Sequence, residues 1–336
     1  MARGVQVQLR GGRRFWMLFV VVAVVLVTVS VREADAIRRL GASAATAQAR
    51  PAPGGTRASA AEVTGATTRL PASRSTTPKI GPASPGPPAS KSGSAPIPAT
   101  LVAHLNALVG GPAAAGYASV SALDLSSGRR LDYGATSGMI DASVSKLDVL
   151  EALLLAHQDS HTPLDGEDDE LATAMIEHSD NDAGQALWNG LGSAAGIGAA
   201  NSRLGLRHTV PGEGGYYGLT TSGASDQLVL LGHLQNGHGP LTAASRAYAL
   251  GLLADVESDQ RWGVSAAADP GTGFAVKNGW LSVADDSGRW AVNSDGIVTI
   301  AGHRVLIAVM TQHDVGEQAG ITLVEAISRG VAAALV

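Results

Sequence analysis

Ser143-Val144-Ser145-Lys146 opens an apolar stretch that reads as a helix, residues 147–156. A hydroxyl three residues ahead of an amine stands on the same helical face, about one turn away. A buried lysine that has lost its proton can take one from that serine and make it a nucleophile. The helix N-terminus adds partial positive charge and free N–H groups beside a developing oxyanion. Ser-x-x-Lys is a common chance pattern, so lysine usage matters. Of 24 basic residues only four are lysines: Lys79, Lys91, Lys146 and Lys277. Arginine serves equally on a solvated surface but cannot deprotonate near neutral pH, so the two lysines beyond residue 96 stand out as chemical.

Two further clusters carry reactive side chains. Ser179-Asp180-Asn181 falls between two helical patterns and is expected on a turn, with Asn181 or Asp182 as the N-cap of the second helix. Lys277-Asn278-Gly279-Trp280 reads as part of a strand, where the glycine would let a ligand backbone come close.

These motifs need a scaffold, and the chain divides into three parts to supply one. Residues 1–96 carry 13 basic and 3 acidic side chains, whereas 97–336 carry 11 and 26. A domain of net charge about −15 is a poor partner for nucleic acid. Residues 1–40 form a basic leader around a 17-residue apolar run, 15–31. As a helix that run spans about 26 Å, near the roughly 30 Å hydrocarbon core. Arg3, Arg10, Arg13 and Arg14 before it keep the N-terminus cytoplasmic and send the rest outside. Ala34-Asp35-Ala36 offers a cleavage site, so the run is either an uncleaved anchor, the reading preferred here, or a signal peptide cut after Ala36. Ten of the fifteen prolines lie between Pro51 and Pro98, and 41–96 is expected to be a disordered Ala/Ser/Pro-rich linker. The chain has no cysteine, which excludes disulfides, thiolate metal sites and a lipid carried on a leader cysteine.

From 97 onward the pattern predicts a helix over 100–108 and a strand over 117–125 returning through 129–133. Helices follow across 168–206, 225–234 and 243–253. Strands come next at 273–280, 289–300 and 303–311, and a last helix at 320–335. Strands at both ends with helices between them imply an α+β fold in three layers: an antiparallel sheet flanked by helices, interrupted by an all-helical lobe. His157, His161, His233 and His238 read as surface or helix-end histidines, and no metal or cofactor is expected.

Taken together, the three motifs occur in the order found in penicillin-recognising serine enzymes. Over most of 97–336 the chain resembles class A β-lactamases and the related D,D-peptidases. Leu123 to Arg129 looks like that family's first hairpin, and Thr220 to Gln227 like the segment after its omega loop. The resemblance implies that Ser143 attacks a lactam or peptide carbonyl and becomes acylated, with Lys146 accepting its proton. It further implies that Ser179 relays a proton to the leaving nitrogen, Asn181 bonds the substrate amide and Lys277 pairs with the substrate carboxylate. Backbone N–H groups of Ser143 and Trp280 would form the oxyanion hole. Three departures stand out. Asn278 replaces the usual hydroxyl residue, though its amide could still donate to a carboxylate. The interval between the first two motifs is short, and so is the omega-loop region, 208–218. Glu213 is the only carboxylate in that region and is either a deacylating base or, the reading preferred here, a solvated acid on a glycine-rich loop. β-Lactam hydrolysis is the leading expectation. A D,D-peptidase or penicillin-binding protein acting on wall stem peptides, and a catalytically weak wall-binding module, are its rivals.

Overall fold

α1 (Ala99–Leu108) turns Leu101 and Leu105, four residues apart, into the interior. The computed structural model describes residues 97–164, 166–235 and 239–336, so the leader, anchor and linker expectations for 1–96 lie outside the described residues. β1 (Ala118–Asp124) and β2 (Arg130–Gly134) form the expected hairpin, with Ser121 opposite Asp132 and its hydroxyl donating to that carboxylate at 2.6 Å. A two-residue strand, β3 (Met139–Ile140), leads through a 3-10 turn at Ala142–Val144 into α2 (Ser145–Ser160).

The helical stretch that follows is three helices, α3 (Gly166–Glu177), α4 (Asn181–Gly190) and α5 (Ser193–Leu204). β4 (Thr221–Ser222) pairs with β3, a contact too short to leave any period in the sequence. α6 (Ala224–Gln235) and α7 (Ala243–Ala254) complete the lobe. The chain then returns to the sheet as β5 (Ala275–Val283), β6 (Arg289–Ile300) and β7 (His303–Asp314), and closes with α8 (Glu317–Leu335).

The main sheet runs β2-β1-β7-β6-β5, antiparallel throughout, with β5 on an edge. On one face α1 and α8 pack over Val120, Val298 and Val309. On the other lies the helical lobe, cored by Leu150, Trp188, Ile197 and Leu231. The fold is therefore the expected three-layer α+β arrangement. Coverage on both faces explains why β6 and β7 are buried along most of their length and why β7 reads as a continuous apolar run over 305–310 instead of alternating.

α2 is the exception to ordinary amphipathicity. Every residue from Ser145 to Leu155 is buried, Lys146, Asp148 and Glu151 included. Buried ionisable groups demand partners. Asp148 accepts from the Asn201 amide at 3.0 Å, and Glu151 meets His233 at 2.7 Å. Burial drives Glu151 well up and His233 down, so this is a neutral hydrogen bond. His233, expected at the surface or a helix end, lies in the last turn of α6 with its ring turned into the lobe. His157 also finds a carboxylate, Asp168 at 2.9 Å, across to α3 and not along its own helix.

Candidate active site

The edge strand and the turn before α2 meet at Gly279. A Cβ on this residue would lie 2.6 Å from the Ser143 nitrogen and 2.7 Å from that of Val144. Only glycine permits this approach by the Ser143 turn. Ala142, one residue before Ser143, has φ +49°, a conformation costly for a residue with a Cβ. Ser143 and Trp280, whose N–H groups are the expected oxyanion pair, line one cleft of about 470 Å³.

Behind that cleft two amines converge on one hydroxyl. Ser179 stands on the tight turn between α3 and α4 with φ +53°. Asp180, not Asn181 or Asp182, caps α4, its carboxylate accepting from Ala183 N at 2.7 Å. The Lys146 ammonium donates to the Ser179 carbonyl, to Ser179 Oγ at 3.2 Å and to Asn181 Oδ1 at 2.9 Å. Lys277 Nζ donates to the same Ser179 Oγ at 2.9 Å and to the Asn278 carbonyl at 3.1 Å. Both lysines are almost wholly buried. Burial lowers Lys146 to about 8, against the opposing charge of Asp180. Burial and the neighbouring Lys146 charge push Lys277 well down, opposed by Asp295. Two ammonium groups sharing one dry pocket disfavour each other, and a neutral amine there is a base.

Asp295 lies directly opposite Lys277 in the β5–β6 register and is fully buried. Neither of its carboxylate oxygens has a hydrogen-bond partner. Burial raises it well above the usual carboxylate range, with the Lys277 charge acting the other way. The sequence marks Asp295 only as an acid inside a strand.

The residue that sequence reasoning missed at the heart of the site is Tyr217. Its hydroxyl donates to Asn181 Oδ1 at 2.6 Å, and the Ser143 side chain stands close enough to lower its pKa slightly. Its ring centroid lies 5.4 Å from Lys146 Nζ, and 8% of its surface remains exposed. Gly184 makes room for it, since a Cβ there would come within 3.3 Å of the ring. Hydrogen bonds therefore run from Tyr217 through Asn181 to Lys146, and on through Ser179 to Lys277, with Ser143 beside the Tyr217 end. Burial and the charges of Asp180 and Asp182 push the phenol far above its ordinary value, so it stays protonated at neutral pH.

Ser143, Asn181, Asp182, Tyr216, Tyr217 and Trp280 contribute to the cleft lining. Of the other expected site residues, Lys146, Ser179 and Lys277 lie behind the lining, Gly279 abuts the Ser143 turn, and Asn278 and Glu213 are turned elsewhere. Asn278 gives its amide hydrogens to the Gln260 carbonyl at 2.6 Å and the Trp262 carbonyl at 3.2 Å. It braces the 260–262 loop beside β5 and has none left for a substrate carboxylate. Glu213 is exposed on a 3-10 turn, Glu213–Gly215, and does not line the cleft.

Comparisons with known proteins bear on the family and the fold. Residues 167–335 match the model of the β-lactamase enzyme family, a stretch that includes Ser179, Asn181 and Lys277 and begins after Ser143. The putative lipoprotein LppW of Mycobacterium tuberculosis is 29% identical over 217 residues, 62% of this chain and 68% of that protein. Among solved structures, PBP-A superposes with a TM-score of 0.59 at 22% identity, covering 71% of this chain and 98% of its own. A variant of it is solved as an acyl-enzyme complex with penicillin G. A β-lactamase from Chitinophaga pinensis superposes with a TM-score of 0.61 at 19% identity, over 70% of this chain and all of its own. At such identities the likeness is one of fold, and with the family match over half the sequence it places the protein: the chain belongs to the β-lactamase enzyme family.

Proposed function

We propose that the chain is an extracytoplasmic serine hydrolase that forms an acyl-enzyme on Ser143 with β-lactams and acyl-D-alanyl-D-alanine-like peptides, and releases the acyl group slowly. The observation that carries this reading is the placement of Ser179 Oγ between two buried amines directly behind the cleft that Ser143 lines. Ser143 Oγ attacks the carbonyl carbon while neutral Lys146 takes its proton. Ser179 then hands a proton to the leaving nitrogen as the C–N bond breaks, and recovers one from the amines behind it. The Ser143 and Trp280 N–H groups hold the oxyanion, and Lys277 hydrogen-bonds Ser179 from behind.

Slow release follows from the rest of the cleft. Hydrolysis of the ester needs a base beside the attacking water, and Glu213 lies outside the lining. This reverses the order of the two leading expectations, placing the penicillin-binding or D,D-peptidase type ahead of the rapid lactamase. Rapid hydrolysis stays as the second reading because Asp182 is a carboxylate that does line the cleft.

The domain is placed outside the membrane by its leader. Residues 1–40 carry the anchor or signal segment, 41–96 are the tether and 97–336 are the enzyme. The relative named a lipoprotein supports a membrane-associated location near the cell wall. This chain has no cysteine to carry a lipid, so the apolar run at 15–31 takes that part.

A chromogenic cephalosporin tests the proposal. A burst of about one equivalent followed by slow turnover is the expected trace. Sustained fast turnover supports the lactamase reading, and no colour change from folded protein supports a binding module.

A further inference from the structure

We propose that Tyr217 sets the lifetime of the acyl group on Ser143 by filling the space through which water would reach the ester. This inference rests on the acyl-enzyme reading above.

Hydrolysis of the ester forms a bond between a water oxygen and the acyl carbon and breaks the bond from that carbon to Ser143 Oγ. The departing serine oxygen takes up a proton, and the water gives one to a nearby base. The groups that could serve as that base are Lys146 and the carboxylates around it. Tyr217 stands among them, its hydroxyl bonded to Asn181, its ring beside Lys146 Nζ, and Ser143 in the same cleft lining. Asp180 spends its carboxylate on the Ala183 N–H, and Asp182 is exposed at the rim. Tyr217 cannot replace them, because it holds its proton at neutral pH.

The position is built to hold the ring. Tyr217 packs into the apolar core of the helical lobe. The absent Cβ of Gly184 leaves the slot between ring and Lys146 Cε, each within 3.3 Å of where that carbon would be. The backbone is fixed by Thr220 N donating to the Tyr217 carbonyl at 3.0 Å, and just beyond it by the Val210–Thr221 bridge. A tyrosine held this way occupies the same place whether or not Ser143 is acylated. The shortened loop thus puts an aromatic plug next to the nucleophile, and its one acid, Glu213, faces solvent.

The experiment uses the full chain and benzylpenicillin. The adduct is formed, excess drug is removed, and intact mass is followed with time, with the acylation rate measured separately. Tyr217→Ala is expected to shorten the adduct lifetime at least tenfold, and Tyr217→Phe, which keeps the ring, to restore most of what alanine loses. Tyr217→Leu serves as the opening variant should the alanine chain not fold, judged by its thermal melt. An opened variant that acylates but releases at the wild-type rate overturns the proposal, as does Phe releasing as fast as Ala. A wild-type adduct that clears within seconds also overturns it while leaving Ser143 as the nucleophile. A wild type that forms no adduct removes the acyl-enzyme reading itself.

Discussion

The two sides of the cleft are built to different plans. One side, made by the Ser143 turn, the Ser179 turn and the edge strand β5, sets the Ser143 hydroxyl on a cleft backed by two buried amines that share the Ser179 hydroxyl. The other, the 211–219 loop, contributes Tyr216, Tyr217 and Leu219 to the lining and no acid. The first has the groups needed to make an ester; the second has bulk where a base would be useful. Proteins of one fold can therefore differ in what happens after acylation through a single loop, with the acylating side unchanged.

Changes on the acylating side should give the largest effects. Ser143→Ala is expected to abolish the penicillin adduct in intact-mass spectra, and a label surviving it would break the comparison at its root. Lys146→Ala should slow acylation by about 10²–10⁴-fold, the usual worth of a positioned proton acceptor. A stopped-flow acylation rate checks that figure, and a change under threefold would place the base elsewhere.

The pH dependence sharpens the same side. Burial brings Lys146 to about 8, so the reactive neutral amine grows as pH rises towards that value. The acylation rate should climb between pH 6 and 8 and level off above. A profile flat across this range would contradict Lys146 as the base.

On the opposite side, Glu213→Gln should leave both acylation and release within about twofold, because that carboxylate faces solvent away from the lining. Slower release in this variant would restore the deacylating role that its loop position suggests.

The smallest effect lies away from the cleft. Burial raises Asp148 to about 8, with its Asn201 hydrogen bond opposing. Its folded pKa lies above the unfolded one, so its contribution is full below about pH 4 and is lost as pH rises towards 8. The slope is at most about 1.4 kcal/mol per pH unit. In Asp148→Asn the melting temperature should fall less between pH 5 and 8 than in the wild type.

Much of this was legible in the sequence, for identifiable reasons. β6 keeps its expected bounds because turn residues border it on both sides, Ser287-Gly288 and Ala301-Gly302, each pair in the left-handed region. The order of the three motifs pointed to the fold, and lysine scarcity singled out the two amines that meet at Ser179. What stayed hidden depends on contacts between segments far apart in the chain. Tyr217 bears on Ser143 only because a slot at Gly184, 33 residues earlier, admits its ring. Asn278 could be aligned with a substrate-binding position, but its direction is set by carbonyls of the 260–262 loop. Asp148, Glu151 and Asp295 look like surface acids until both sides of α2 and of the sheet are covered.

The most direct test of the central claim is peptide mapping after labelling with a fluorescent penicillin. A single labelled peptide containing Ser143, still present after the free drug has been removed, is the expected result. Label on a different residue, or a folded protein that takes up none, would contradict it.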